Sequence, residues 1–233
     1  MAVPQIVALG GGGFDARDRP LREFLLGLTG REEPRVLLLP TATGDSDATV
    51  VRFYEAFVEH RCRPTHLKLF GIPRPGWRDH LLAQDLIFVG GGNTANMLAV
   101  WRVHGVDDVL REAWERGIVL AGMSAGSICW FEAGVTDSFT PELDPLPCLG
   151  FLPGSNCPHY DGEEQRRPAF HRLVGAGAMP DGLAADDGCG LHFRGVELAE
   201  VVASRPAAAA YRVERADGGA RETRLPARVL AGA

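Results

Sequence analysis

Gly122-Met123-Ser124-Ala125-Gly126 sets a serine between two glycines. The four residues before Gly122, Ile118 to Ala121, are apolar, and Ser127-Ile128-Cys129-Trp130 opens a helical spacing, so the pentapeptide reads as a strand-to-helix corner that presents a nucleophile. A serine held on such a strained turn needs residues without a Cβ two positions away on either side, where a side chain would meet strand or helix. Gly122 and Gly126 meet that need. The first N–H groups of the following helix lack intrahelical acceptors, which makes the N–H of Ala125 a candidate donor to a developing oxyanion. The same pattern also describes an ordinary β-turn-α connection, so the partners of a nucleophilic serine have to be found elsewhere in the chain.

Those partners are a base and a group that orients it. The chain has seven histidines, and His159 is set apart by its place in Asn156-Cys157-Pro158-His159-Tyr160-Asp161-Gly162, a proline-stiffened loop downstream of the serine. His60, His66, His80 and His104 fall on helix or strand segments, and His171 lies within an expected helix. The acid should follow a late strand, which points to Asp186 or Asp187 ahead of Gly188, although doubled acids before glycine are also common turn chemistry. A second oxyanion donor is offered by Gly90-Gly91-Gly92-Asn93-Thr94, where bare backbone at the end of the run Leu86 to Val89 meets a helix start; Gly91 or Gly92 would supply the N–H.

The elements that must bring these groups together are legible as an alternation. Gln5 to Leu9 is an apolar run ending in Gly10 to Gly13, which lacks the spacing of a dinucleotide fingerprint and is read as a tightly packed first strand-helix corner. Asp15 to Leu28, Ala48 to His60, Ala95 to Val103 and Val106 to Arg116 have helical periodicity, with Val51, Tyr54, Phe57 and Val58 as the inward stripe of the second. Val36 to Leu39, Thr65 to Phe70 and Leu86 to Val89 read as buried parallel strands. After Glu132 the texture changes to proline-rich loops or short strands, one more helix over Arg166 to Val174, and antiparallel strands near the C-terminus, Val196 to Ser204 and Ala207 to Glu214, with a turn at Asp217-Gly218-Gly219. The expected fold is α/β: three layers, a mainly parallel flavodoxin-like sheet with helices on both faces, and antiparallel strands added near the C-terminus. Ligands in such sheets gather at the carboxyl ends of the strands, where Ser124 and the Gly90 loop should be neighbours.

Composition excludes several classes of function. With 233 residues, 45 % hydrophobic and 23 % charged, the chain is expected to form one domain over 1–233. A formal charge of −6 with no basic face argues against nucleic acid as a partner. No apolar run is long enough to span a membrane and no signal segment is evident, so the cytoplasm is the expected compartment. The five cysteines, Cys62, Cys129, Cys148, Cys157 and Cys189, are scattered without a CxxC pair, which favours free thiols over disulfides or a zinc site. Neither metal nor cofactor is assigned, and the oligomeric state stays open.

In order and spacing, Gly90-Gly91-Gly92-Asn93-Thr94, Gly122-Met123-Ser124-Ala125-Gly126, Cys157-Pro158-His159-Tyr160 and Asp186-Asp187-Gly188 resemble the peptidase E family of serine peptidases, relatives of the cyanophycinases and, at greater distance, of class I glutamine amidotransferases. The resemblance runs from the first strand to about Phe193. It implies Ser124 as nucleophile, His159 as base and Asp187 as acid, with Asp186 the weaker candidate, because the family carries Glu immediately before this glycine. It further implies a short peptide as substrate, contacted by Asn93, Thr94, Tyr160 and Arg166. One departure bears on specificity: peptidase E proper cleaves Asp-X dipeptides and has an arginine for the aspartyl carboxylate just ahead of Glu-Gln-Arg, whereas here Glu163 precedes Glu164-Gln165-Arg166. An acid there opposes a carboxylate, since like charges in contact disfavour both ionised forms. Arg166 or Arg167 would have to reach in instead.

Two other readings compete. An α/β-hydrolase esterase would use the order Ser, Asp, His, with Asp187 and His192, but four residues between those two leave no room for the usual intervening elements. A non-catalytic module would use the glycine loops to hold a small metabolite and the serine only as a hydrogen-bond donor.

Overall fold

The computed structural model describes residues 3–232. Its main sheet is built from β1 (Gln5–Leu9), β2 (Arg35–Leu39), β3 (Arg63–His66), β4 (Leu86–Val89) and β5 (Val119–Met123), which are mutually parallel. Their residues alternate between two cores. Ile6, Ala8, Leu37, Leu39, Ile87 and Val89 face one side, and Val7, Leu9, Val36, Leu38, Leu86 and Phe88 the other. Burial on both faces is why these segments are apolar at every position rather than at every second one.

Helices α1 (Arg19–Leu28) and α2 (Asp47–Phe57) cover one face, and α3 (Trp77–Leu82), α4 (Thr94–His104) and α5 (Val106–Glu115) the other. Helix α2 is rotated from the expected stripe: Val50, Phe53, Ala56 and Phe57 are buried, while Val51 and Val58 are exposed. That phase seats Phe53 against Phe14 and Phe57 against Phe88, a larger apolar contact than two valines provide. Strand β3 stops at His66 rather than at Phe70, because the N–H groups of Leu69 and Phe70 are taken by the buried Asp45 carboxylate.

Beyond β5 the chain makes a single helical turn, α6 (Ala125–Ile128), and enters a second, six-stranded sheet that the sequence did not disclose. Its strands are β6 (Phe131–Thr136), β7 (Asp144–Pro147), β8 (Leu152–Cys157), β9 (Gly182–Ala185), β12 (Ala210–Ala216) and β13 (Gly219–Leu225), in the order β13-β12-β9-β8-β6-β7, with α7 (Arg166–Gly175) packed on it. The last strands are shared between the sheets. β10 (Cys189–Arg194) and β11 (Glu197–Ala203) extend the main sheet antiparallel beside β1, and β14 (Arg228–Val229) ends it. β11 thus pairs antiparallel with β10 and not with β12, which pairs with β9 and, across the Asp217-Gly218 turn, with β13.

Candidate active site

Three chain ends converge at one edge. The carboxyl ends of β1 and β5 lie side by side, with Leu9 opposite Met123, and β10 runs back from the same end, with Gly190 opposite Leu9. Strand β8 of the second sheet delivers the loop after Cys157 to this edge, where His159 N donates to Gly10 O at 2.9 Å and Tyr160 N to Ala185 O at 3.1 Å.

Ser124 sits on the corner between β5 and α6 with φ 55° and ψ −115°. A non-glycine residue there costs about 1–3 kcal/mol and persists only where its surroundings hold it. Ser124 O accepts from the N–H groups of Ser127 and Ile128, and a Cβ at Gly122 would lie 2.3 Å from Gly126 O, one at Gly126 2.3 Å from Val89 O. Both glycines are thus required by contact with backbone. Behind the corner, Ser127 Oγ donates to Asn156 Oδ1 at 2.9 Å and Asn156 Nδ2 to Leu183 O at 3.1 Å, a fully buried link that ties the serine turn to the two strands flanking His159. Because α6 is a single turn, it brings no long-helix dipole to the corner.

Of the doubled acids, Asp187 touches the histidine: His159 Nδ1 and Asp187 Oδ1 are 2.7 Å apart. That contact, reinforced by the nearby Arg205 guanidinium, holds the Asp187 carboxyl below its ordinary range. Asp186 is buried, bonds the N–H of Ala209 and is pushed up by desolvation, so its role is structural. Two residues fasten the Asp187 loop. Its N–H goes to Asp161 Oδ1 at 2.8 Å, its carbonyl accepts from Arg205 Nε at 2.7 Å, and Arg205 closes the ring with an ion pair to Asp161.

With Nδ1 engaged, Nε2 is the ring nitrogen available to Ser124. Ser124 and His159 line one cavity of about 270 Å³, together with Phe14, Asp15, Arg52 and Gly91. Among the described residues no hydrogen bond joins the hydroxyl to the ring; in serine hydrolases that contact commonly tightens when substrate is bound. Gly91 lies directly against the serine, its pro-Cβ position 3.1 Å from Ser124 Cβ. Gly92 is turned toward Ala42 instead, with φ +136° and a Cβ position 2.3 Å from Ala42 O, so Gly91 is the one of the two that abuts the serine.

The four expected substrate contacts are engaged within the protein. Asn93 caps α4, accepting from Asn96 N and donating to Ser138 O, and Thr94 is buried beneath it. Tyr160 is a core residue whose hydroxyl donates to Glu222 Oε2 at 2.6 Å. Arg166 is buried with its guanidinium spent on Val135 O and Glu163, and Arg167 is paired with Glu222. None of these residues lines the cavity that holds Ser124.

Sequence reasoning missed Gly11, Asp161 and Arg205. Gly11 is the floor of the acid–imidazole pair: a Cβ there would lie 2.0 Å from Asp187 Oδ1 and 2.7 Å from His159 Nδ1. The run of four glycines is the available signal, and reading it as a tightly packed corner misses this role. Cys129 is buried with its thiol pushed well up by desolvation, and the His192 ring meets Gln5 and Glu200, not Asp187 or Ser124.

Such an edge, with serine on a strained corner beside an acid–imidazole pair, is that of a hydrolase. Solved structures share the architecture: a peptidase from an acI-B1 Actinobacterium superposes with TM-score 0.72 over 97 % of this chain and 95 % of its own, at 15 % identity. A candidate peptidase E protein from Listeria monocytogenes EGD-e superposes with TM-score 0.62 over 96 % and 100 %, at 16 % identity. In sequence the chain is 50 % identical to the uncharacterized peptidase YgaJ of Bacillus subtilis (strain 168) over 97 % of its own length and 99 % of that protein's. The profile of peptidase family S51 matches residues 6–201. The chain belongs to peptidase family S51, and it is a peptidase.

Proposed function

We propose that the protein hydrolyses short peptides, as a dipeptidase or other exopeptidase, through an acyl-enzyme on Ser124. The observation that carries this reading is the pairing of His159 with Asp187 beside the cavity that contains a strained, glycine-flanked Ser124. His159 Nε2 takes the hydroxyl proton as Ser124 Oγ bonds to the peptide carbonyl carbon, and the N–H groups of Ala125 and Gly91 receive the oxyanion. The imidazolium then protonates the leaving amine and the C–N bond breaks. Water, deprotonated by the same ring, releases the acyl group and restores the serine. Asp187 orients the ring and stabilises its charged form.

A fluorophosphonate probe tests the nucleophile. It should label the wild type and fail to label Ser124→Ala, and labelling that survives the substitution would remove the serine from the mechanism. His159→Ala should lose dipeptide hydrolysis while His192→Ala keeps it; the reverse would transfer the base to His192 and restore the esterase order.

A further inference from the structure

The cavity beside Ser124 contains a cation that neither the motif nor its loop supplies. Arg52 enters from α2, far from the segment after His159 in which a carboxylate receptor was expected. The alternatives are committed elsewhere: Arg166 to Val135 O and Glu163, Arg167 to Glu222, and Arg205 to Asp161 and the Asp187 carbonyl behind the acid–imidazole pair. We infer that Arg52 receives a carboxylate of the substrate, so that a charged group, and not only an apolar side chain, places the scissile bond over Ser124. This rests on the peptidase reading of the site.

Arg52 is available for this task. Its present partner is Asp15, at 3.5 Å between guanidinium and carboxylate, in a pair whose side chains are 63 % and 48 % exposed. Exposed pairs of this kind contribute at most about 1 kcal/mol, so exchange of one carboxylate for another is inexpensive. Asp15 is not stranded by the exchange, because Arg17 lies 3.3 Å away on its other oxygen. A planar guanidinium also suits a carboxylate in two-point contact, which the single 3.5 Å approach to Asp15 does not use. Phe14 and Met123 line the same cavity and give it an apolar wall.

The experiment separates the source of the carboxylate and does not depend on turnover. Binding of Leu-Leu, Leu-Leu amide and Asp-Leu amide is measured calorimetrically on Ser124→Ala and on Ser124→Ala/Arg52→Gln. One carboxylated peptide should bind Ser124→Ala at least about tenfold more tightly than Leu-Leu amide, and that preference should vanish with Arg52→Gln. Preference for Leu-Leu identifies the terminal carboxylate, preference for Asp-Leu amide the side-chain one. An unchanged preference in the double variant, no preference, or no binding of any peptide overturns the assignment of Arg52. Failure of the peptidase reading would show separately, as a wild type that neither cleaves Leu-Leu or Asp-Leu nor reacts with the fluorophosphonate.

Discussion

Gly11 states the residue-scale logic of the site in its most restrictive form. Its missing side chain leaves the space in which His159 Nδ1 and Asp187 Oδ1 meet, so Gly11→Ala must push the pair apart or displace the loop. Hydrolysis of a dipeptide should fall by about 10²–10⁴, the range that general acid–base catalysis contributes, while fluorophosphonate labelling slows and the fold is retained. Wild-type turnover in Gly11→Ala would mean that the pair is dispensable. Thiol chemistry makes a second prediction at this scale. Burial raises Cys62 and Cys129 and lifts Cys148, Cys157 and Cys189 to about 12, so no cysteine is a ready thiolate at neutral pH. Iodoacetamide at pH 7.5 should leave hydrolysis intact; rapid inactivation would implicate a thiol.

At the scale of elements, the groups of the proposed site come from two sheets. The main sheet presents Ser124 through β5 and the glycine loop through β1, the second presents His159 through β8, and the turn between β9 and β10 carries Asp187 across the seam. The ring of Asp161, Arg205 and the Asp187 backbone closes that seam from the solvent side. Arg205→Ala should therefore lower kcat about tenfold without removing the reactive serine. It should also move the acidic limb of the kcat/KM profile to higher pH, because Arg205 adds to the His159 contact in holding the Asp187 carboxyl down. Arg205→Lys should restore the pH profile more fully than kcat, since lysine keeps the charge but loses the fork. A loss of activity with no movement of the limb in Arg205→Ala would make Arg205 a purely structural tie.

For the whole molecule, partly or fully buried titratable groups govern the expected response to acid. His60, His66, His80 and His192 are all lowered from 6.5, chiefly by desolvation, so the folded state resists a proton that the unfolded chain accepts. Their contribution is complete above 6.5 and is lost as pH falls below it. The lowered carboxylates Asp187, Glu200 and Glu222 act in the same sense further down, contributing above the unfolded value of about 4 and losing that contribution as they protonate. Asp186 opposes them, because its raised carboxyl is relieved by acid. The urea midpoint should fall between pH 7.5 and pH 5.5 with an unchanged slope. A flat or rising midpoint over that interval would show that the histidines do not control it.

Sequence alone determined the parallel half of the fold and pointed to the three residues of the proposed site, because both depend on local constraint. Strands buried on two faces leave unbroken apolar runs, and a strained serine corner leaves glycines at fixed spacing. Tertiary structure decided what local pattern does not encode. The Gly10–Gly13 loop became the floor of the acid–imidazole pair, the choice between Asp186 and Asp187 fell to the one facing His159, and Tyr160 and Arg166 went into the core. Arg52 reached the serine from a helix more than seventy residues upstream in the chain. Each of these is a contact between segments remote in sequence, and the side-chain packing that creates it is settled only when the two sheets close on one another.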